Sequence, residues 1–406
     1  MRVIFINRFF YPDHSATSQL LSDLAFYLAS RGHEVHVVCS RQLYESPEAQ
    51  LITSELVQGV QVHRVWTSRF GRSNLAGRAS DYLSFYLSAT IKLFLLTDSR
   101  TVVVAKTDPP LISVPASWVT HWRGAHLVNW LQDVFPEVAV ELGIKVLGGR
   151  LGAWVGRLRD KSLLVANMNV VLGERMAERV RARGVDADKV RVISNWADGA
   201  SIMPIPAEAN SLRAKWDLKD KFVVMYSGNM GRAHEFETIL GAATLLQADA
   251  RFVFLFVGGG NQRGPLGSEV AHRGLTNVQF RPYQARDQLG LSLSVGDVHL
   301  ISLRPELEGL IVPSKFYGVL AAGRPVVFVG APDGEIARQV GHADCGLVVA
   351  QGDSQGLVAG LVRLADTPVI CERMGSNGRR LFDAALNQSA AMTAWETILD
   401  EQMEKL

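Results

Sequence analysis

Twice along 406 residues, short runs of β-branched and aromatic residues alternate with segments of helical spacing, and nothing else in the chain constrains its fold as tightly. The first unit of this alternation is complete within forty residues. Val3-Ile4-Phe5-Ile6 suits a buried parallel strand, and Leu20, Leu21, Leu24, Ala25 and Leu28 then recur at helical spacing. Gly32 supplies a helix stop and Val35 to Cys39 resumes a strand. Further strands are predicted at 60–65, 102–105, 126–131, 163–166 and 190–193. A second series begins at Phe222-Val223-Val224-Met225-Tyr226 and continues at 252–257, 278–281, 298–301, 325–329 and 347–349. Helices predicted at 354–365, 369–385 and 388–403 close the chain. Such alternation calls for doubly wound α/β sheets, and a chain of this length calls for two of them. The stretch from Asn195 to Lys219, with Pro204 and Pro206, has no periodicity and reads as a linker. The expected division is therefore 1–205 and 206–387, with a helix at 388–406 returning to the first domain.

Lys and Arg total 42 against 40 Asp and Glu, a near balance that offers no global field for nucleic acid. One local excess stands out: eleven basic against five acidic residues between Lys145 and Arg191. Cys39, Cys345 and Cys371 are odd in number and form no CxxC pair, which argues against a disulfide framework or a zinc site and for a reducing compartment. The first strand turns polar at Asn7 and Arg8, unlike a signal peptide. Tyr82 to Leu96 is apolar but interrupted by Ser84, Ser88, Thr90 and Lys92, too short and too polar to span a bilayer. A cytoplasmic protein is expected.

Ligands bind open α/β sheets at the carboxyl ends of their strands. In the first half that edge includes the loop from Asn7 to Thr17, placing Ser15, Ala16 and Thr17 there. In the second half three loops qualify. They contain Gly228, Asn229 and Arg232; Gly258 and Gly259; and a stretch from Ser302 to Pro313 holding Glu306, Glu308, Leu310, Ile311 and Val312. Glycines there let backbone amides approach a phosphate, although glycine also simply makes tight turns. The last loop opens a helix at Ser314 and Lys315. A lysine is unfavourable in a first helical turn unless an anion lies between.

Phe9-Phe10-Tyr11-Pro12-Asp13, Ala29-Ser30-Arg31-Gly32-His33-Glu34-Val35, Tyr226-Ser227-Gly228-Asn229-Met230-Gly231, Pro313-Ser314-Lys315 and Ala321-Ala322-Gly323-Arg324-Pro325 together resemble the family 4 glycosyltransferases. The similarity is closest to the branch of colanic-acid and L-fucosamine transferases of bacterial polysaccharide synthesis. It implies the GT-B architecture, two Rossmann-like domains facing across a cleft, with the nucleotide-sugar held mainly by the second and the acceptor by the first. It also implies retention of anomeric configuration, no divalent metal, a UDP- or GDP-sugar donor and a polyprenyl-diphosphate-linked acceptor at the inner surface of the cytoplasmic membrane. The family's paired glutamates, E-x7-E, are incomplete: Gly318 holds the second position, and Glu306 or Glu308 represents the first only loosely. Asn229 stands at the customary arginine of the first loop. Arg232 and Lys315, with loop amides at 310–314, become the candidates to neutralise the diphosphate.

Many relatives place a catalytic histidine where this chain has Gln132-Asp133, so Asp133 is read either as a base for the acceptor hydroxyl or as a helix N-cap. Asp186-Ala187-Asp188 mimics a metal-binding DxD but reads as a solvated turn, and His33 and His36 are given no metal. Tyr82, Phe85, Tyr86, Ile91, Leu93 and Phe94, following Arg69, Arg72 and Arg78, suit either core or a membrane interface. Arg150, Arg157, Arg159 and Lys161, beside Trp154, add a second patch. The expected function is sugar transfer in exopolysaccharide, capsule or O-antigen synthesis. A nucleotide-sugar 2-epimerase and a catalytically silent binding protein are the alternatives.

Overall fold

The computed structural model describes residues 1–46, 48–71 and 75–406. Arg72 lies outside the described residues. The chain forms two units, Met1–Ser194 with Met392–Leu406, and Asn195–Ala391.

The first unit is built on strands β1 (Arg2–Ile6), β2 (Glu34–Ser40), β3 (Ser54–Val57), β4 (Val60–Val65), β5 (Thr101–Lys106), β6 (His126–Trp130), β7 (Met168–Val171) and β8 (Val190–Val192). Their order is β3-β4-β2-β1-β5-β6-β7-β8, parallel except for β3 on β4. Ile4 pairs with His36 on one side and Val103 on the other. Val3, Ile4 and Phe5 are wholly buried because helices cover both faces of a parallel sheet. Each such side chain contributes about 1.5–3 kcal/mol by leaving water. Met392–Leu406 belongs to this unit through Trp395, fully buried with its ring 4.7 Å from that of Trp130. Glu396 accepts a 2.8 Å bond from the Tyr27 hydroxyl and pairs with Arg31.

The second unit holds β9 (Phe222–Ser227), β10 (Phe252–Val257), β11 (Val278–Arg281), β12 (Val298–Ser302), β13 (Val326–Gly330) and β14 (Gly346–Ala350). All are parallel, in the order β11-β10-β9-β12-β13-β14. The reversal of winding falls between β9 and β12. That is the switch point at which loops diverge and leave a crevice.

Two sequence expectations need correction. Leu163 to Ala166 is not a strand: Leu163 ends the buried face of the helix Arg150–Val165, and the strand follows at Met168–Val171. Its centre is Asn169, fully buried, whose carbonyl accepts a 2.9 Å bond from the Asn129 side chain on β6. A buried amide pair in adjacent strands breaks the apolar run by which a strand is recognised. The units also divide at Ser194/Asn195 rather than near 205. Trp196 and Ile202 are buried, and the Ile205 carbonyl accepts a 2.6 Å bond from Arg324, so this aperiodic stretch packs with the second unit.

Candidate active site

In the second unit the loops after β9 and β10 fit against each other. Met230 N donates to Gly259 O at 2.6 Å and Gln262 N to Met230 O at 2.9 Å. Gly258 has φ 135°, and a Cβ there would stand 2.2 Å from the Gly228 carbonyl oxygen. Gly260, with φ 123°, is closed in by Asn229 and Met230, and a Cβ on Gly259 would meet the Tyr283 ring at 3.1 Å. Gly258 and Gly260 are thus required by loop-on-loop packing, a structural demand that holds with or without a phosphate. Gly258→Ala is expected to cost on the order of 1–3 kcal/mol of stability, read as a lower denaturant midpoint. An unchanged midpoint would show that the two loops are not locked together.

Lys315 does not extend from its helix as a free cation. Its Nζ turns back past Gly228 and donates to the Tyr226 hydroxyl and to His234 Nε2 at 3.2 Å, lying 4.0 Å from the Tyr226 ring centre. Tyr226 Oη donates onward to Asn229 O at 2.8 Å, which leaves its lone pairs for the ammonium. His234 Nδ1 lies 2.6 Å from Ser302 O and therefore carries the ring proton, making Nε2 an acceptor. Two of the three ammonium donors are engaged, and the third has no partner among the described residues. Burial pushes Lys315 down to about 7. Burial and the adjacent lysine push His234 down to about 3, so it stays a neutral acceptor at neutral pH.

Around this cluster Arg232 and Asn229 are exposed, and Arg232 makes no ion pair among the described residues. Ser314 is exposed, while Leu310 and Val312 are buried. The amides of Leu310 and Ile311 both donate to Leu307 O, so neither is available to a ligand. Glu306 is exposed, 3.7 Å from Arg304. Glu308 accepts from the Glu335 amide at the start of the helix Glu335–Ala343, an anion set on a helix N-terminus. A Cβ on Gly318 would stand 3.3 Å from Leu293, so the family's second glutamate would begin against that side chain.

In the first unit, the polar residues brought together lie at the ends of β5 and β6. The Thr17 hydroxyl donates to Asp108 at 3.2 Å, and Gln132 N donates to the Thr107 hydroxyl at 2.9 Å. Asp133 is pushed up to about 7 by burial and by the charge of Asp108, against a hydrogen bond from Thr107, and its Oδ1 is buried with no hydrogen-bond partner among the described residues. It caps no helix: the following helix, Glu137–Glu141, has Pro136 at its N-cap. Lys106 is fully buried with Nζ 3.4 Å from the Trp130 ring centre, and burial holds it well below the usual lysine range. Ser15 is committed to Asp13, which accepts from both its amide and its hydroxyl, and Ala16 is exposed.

Asp108, Thr107, Tyr226 and His234 were not among the residues expected from sequence. Thr107-Asp108 had a signal, being polar residues directly after an apolar strand run. His234 had none, since it meets Lys315 across 81 positions of chain. The basic stretch also changes meaning. Arg159 is buried and paired with Glu137 at 2.7 Å and Asp160 at 2.8 Å, and Arg183 joins the same glutamate, so these cations hold the fold together. Of the apolar and aromatic residues singled out in the helix Leu75–Leu96, Phe85 and Leu93 are core, Tyr86 bonds the Pro110 carbonyl and Tyr82 lies under Arg8. Asp186 and Asp188 are exposed in a turn; His36 bonds Glu34 and His63, and His33 meets Glu396. Among the described residues no group of three or more His, Cys, Asp or Glu side chains is arranged to hold a metal ion.

The two sheets, with these loops at their carboxyl edges, have the architecture of GT-B glycosyltransferases. A sucrose-phosphate synthase from Thermosynechococcus elongatus superposes over 100% of both chains with a TM-score of 0.78 at 16% identity. HepE of Anabaena, solved in complex with UDP-glucose, covers 99% of this chain and 100% of its own with a TM-score of 0.74, also at 16% identity. In sequence, residues 17–196 match the glycosyl transferase 4-like domain and residues 221–367 the glycosyl transferases group 1 domain. WcaI of Escherichia coli (strain K12), a glycosyl transferase assigned to colanic acid biosynthesis, is 27% identical over 354 residues, 83% of this chain and 85% of its own. The chain belongs to the family 4 glycosyltransferases and is a sugar-transferring enzyme.

Proposed function

We propose that the chain moves a sugar, with retention and without a divalent metal, from a UDP- or GDP-sugar held by the second unit to a lipid-linked glycan acceptor held by the first, in bacterial surface polysaccharide assembly. The observation that carries this reading is Lys315, aimed by Tyr226 and His234 with one donor unspent among the described residues, together with the exposed Arg232, which stands two positions before His234 on the same loop. Two cations that can meet a diphosphate stabilise the charge that grows on the leaving group, the main requirement of glycosyl transfer. Asp133, enclosed and near neutrality in its titration, serves as the group that orients and deprotonates the acceptor hydroxyl. Further support comes from the UDP-glucose complex of HepE and from the polysaccharide role assigned to WcaI. An acceptor anchored in a bilayer places the enzyme at the cytoplasmic face of the membrane.

Thermal shift with UDP, GDP and their sugars tests the donor half. A ligand at 100 times its Kd stabilises by about 2.7 kcal/mol, so the correct nucleotide is expected to raise the melting temperature by several degrees and the wrong one hardly at all. Incubation with the stabilising nucleotide-sugar alone is expected to give no isomerised sugar; rapid epimerisation without acceptor would replace this reading with the epimerase.

A further inference from the structure

Between β4 and the helix Leu75–Leu96 the chain runs through Trp66, Thr67, Ser68, Arg69 and Phe70 without regular secondary structure, yet its backbone is tied down. Trp66 O accepts from the Ser88 hydroxyl at 2.6 Å, and Thr67 O and Ser68 O accept from the Gln42 amide at 3.3 and 2.9 Å. Ser68 N donates to the Ser84 hydroxyl at 2.9 Å, and Phe70 N and Gly71 N donate to the two oxygens of Asp81. Gln42 and Asp81 are both buried, and each also meets Arg8. A backbone fixed in this way cannot swing its side chains into the core, and Trp66 and Phe70 stand 64% and 70% exposed. Rings held outward like this are pre-organised for contact, because their segment is ordered before a ligand arrives.

The two rings border a hollow of about 450 Å³, within the range of small-molecule sites, roughly 300–1,000 Å³. Its charged lining is Arg41 and Arg69, and among the described residues no carboxylate lines it. Arg41 spends Nε on Leu51 O at 3.0 Å, and Gln50, with its amide oxygen toward Arg69, accepts from both terminal nitrogens of that residue at 2.6 and 3.0 Å. A guanidinium has five donors, so both arginines are held in place and keep donors for a ligand. An indole face packs on the C–H face of a pyranose ring, and a guanidinium grips a carboxylate through parallel bonds. The combination selects an acidic saccharide: a neutral one leaves both cations without an anion, and an inorganic anion leaves both rings uncovered. The hollow lies at the carboxyl ends of β2 and β4, on the same ligand edge where Asp133 follows β6. Three strand spacings separate β2 from β6, about 14 Å. An oligosaccharide spans that distance and a single sugar ring does not.

We propose that this hollow binds an acidic sugar of the acceptor glycan, a carboxylate-bearing residue set back from the reacting hydroxyl, with Trp66 stacked on its ring and Arg41 and Arg69 on its anion. The proposal deepens the glycan-acceptor reading and rests on that reading for its purpose. The full chain is to be titrated, without nucleotide, with oligosaccharides containing glucuronate or galacturonate, each beside its neutral carboxyl-reduced counterpart, and with farnesyl diphosphate as a soluble carrier-type diphosphate. Ligand-observed NMR follows binding. An acidic oligosaccharide is expected to bind about tenfold more tightly than its reduced counterpart. Arg69→Gln is expected to remove that preference, and Trp66→Ala to weaken both members of the pair about tenfold. Both side chains are exposed, so the melting temperatures of the variants are expected to match the wild type. Equal binding within every pair, or a preference that Arg69→Gln leaves intact, overturns the proposal. So does displacement of the oligosaccharides by farnesyl diphosphate in an Arg69-dependent manner, since it assigns the cations to the diphosphate of a lipid carrier. The expected acidic preference, together with isomerised nucleotide-sugar formed without acceptor, would keep the hollow and reject the acceptor reading.

Discussion

Above about pH 7 the affinity for the donor's nucleoside diphosphate is expected to fall about tenfold per pH unit, with uptake of close to one proton on binding. The cause is Lys315, which burial holds near 7 instead of the ordinary 10.5. The groups facing it are the Tyr226 hydroxyl and the neutral His234 ring, and neither supplies a negative charge at neutral pH. Below 7 the free enzyme already carries the ammonium that pairs with phosphate. Above 7 the amine is neutral, and the anion must recruit a proton, so each further pH unit costs a factor of ten until the pKa of the bound state is passed. Calorimetry in two buffers of different ionisation heat, repeated across pH, measures the proton directly. Lys315→Met is expected to abolish the proton uptake and to weaken diphosphate far more than nucleoside. Proton uptake that survives in that variant would remove Lys315 from the phosphate site.

Asp133→Asn is expected to lower transfer by about two orders of magnitude at saturating donor, with donor affinity unchanged. In the wild type the rate is expected to rise through about pH 7 as the Asp133 carboxyl ionises, since only the carboxylate accepts a proton. The asparagine variant would lose that rise. Its stability is expected to be equal or higher above neutrality, because a carboxyl whose pKa is raised by burial weakens the fold as pH rises through that value. A melting temperature several degrees lower, with a near-normal rate, would return Asp133 to a purely structural role.

The sequence by itself determined the elements and their edges. The parallel strands announce themselves because burial on both faces demands unbroken apolar runs, as in Val3–Ile6 and Phe252–Val257, and the loops that follow them must lie at the ligand edge. Where polarity intrudes on that rule, local pattern fails. The strand around Asn169 is invisible until Asn129 is placed beside it to satisfy a buried amide.

The roles of charged and small residues were decided by tertiary structure alone. Arg159 and Arg157 are two positions apart and look alike in sequence, yet one is buried against Glu137 and Asp160 and the other is exposed. Gly258 reads as a phosphate loop until the Gly228 carbonyl is found 2.2 Å from its missing Cβ. Lys315 reads as a first-turn cation facing an anion, but only the fold shows that Tyr226 and His234, 89 and 81 residues away, turn it back and aim it. Periodicity reports which face of an element is dry, a property of neighbours along the chain. Ionisation, direction and free hydrogen-bonding capacity depend on the atoms that long-range packing brings within about 4 Å, and no local pattern encodes those.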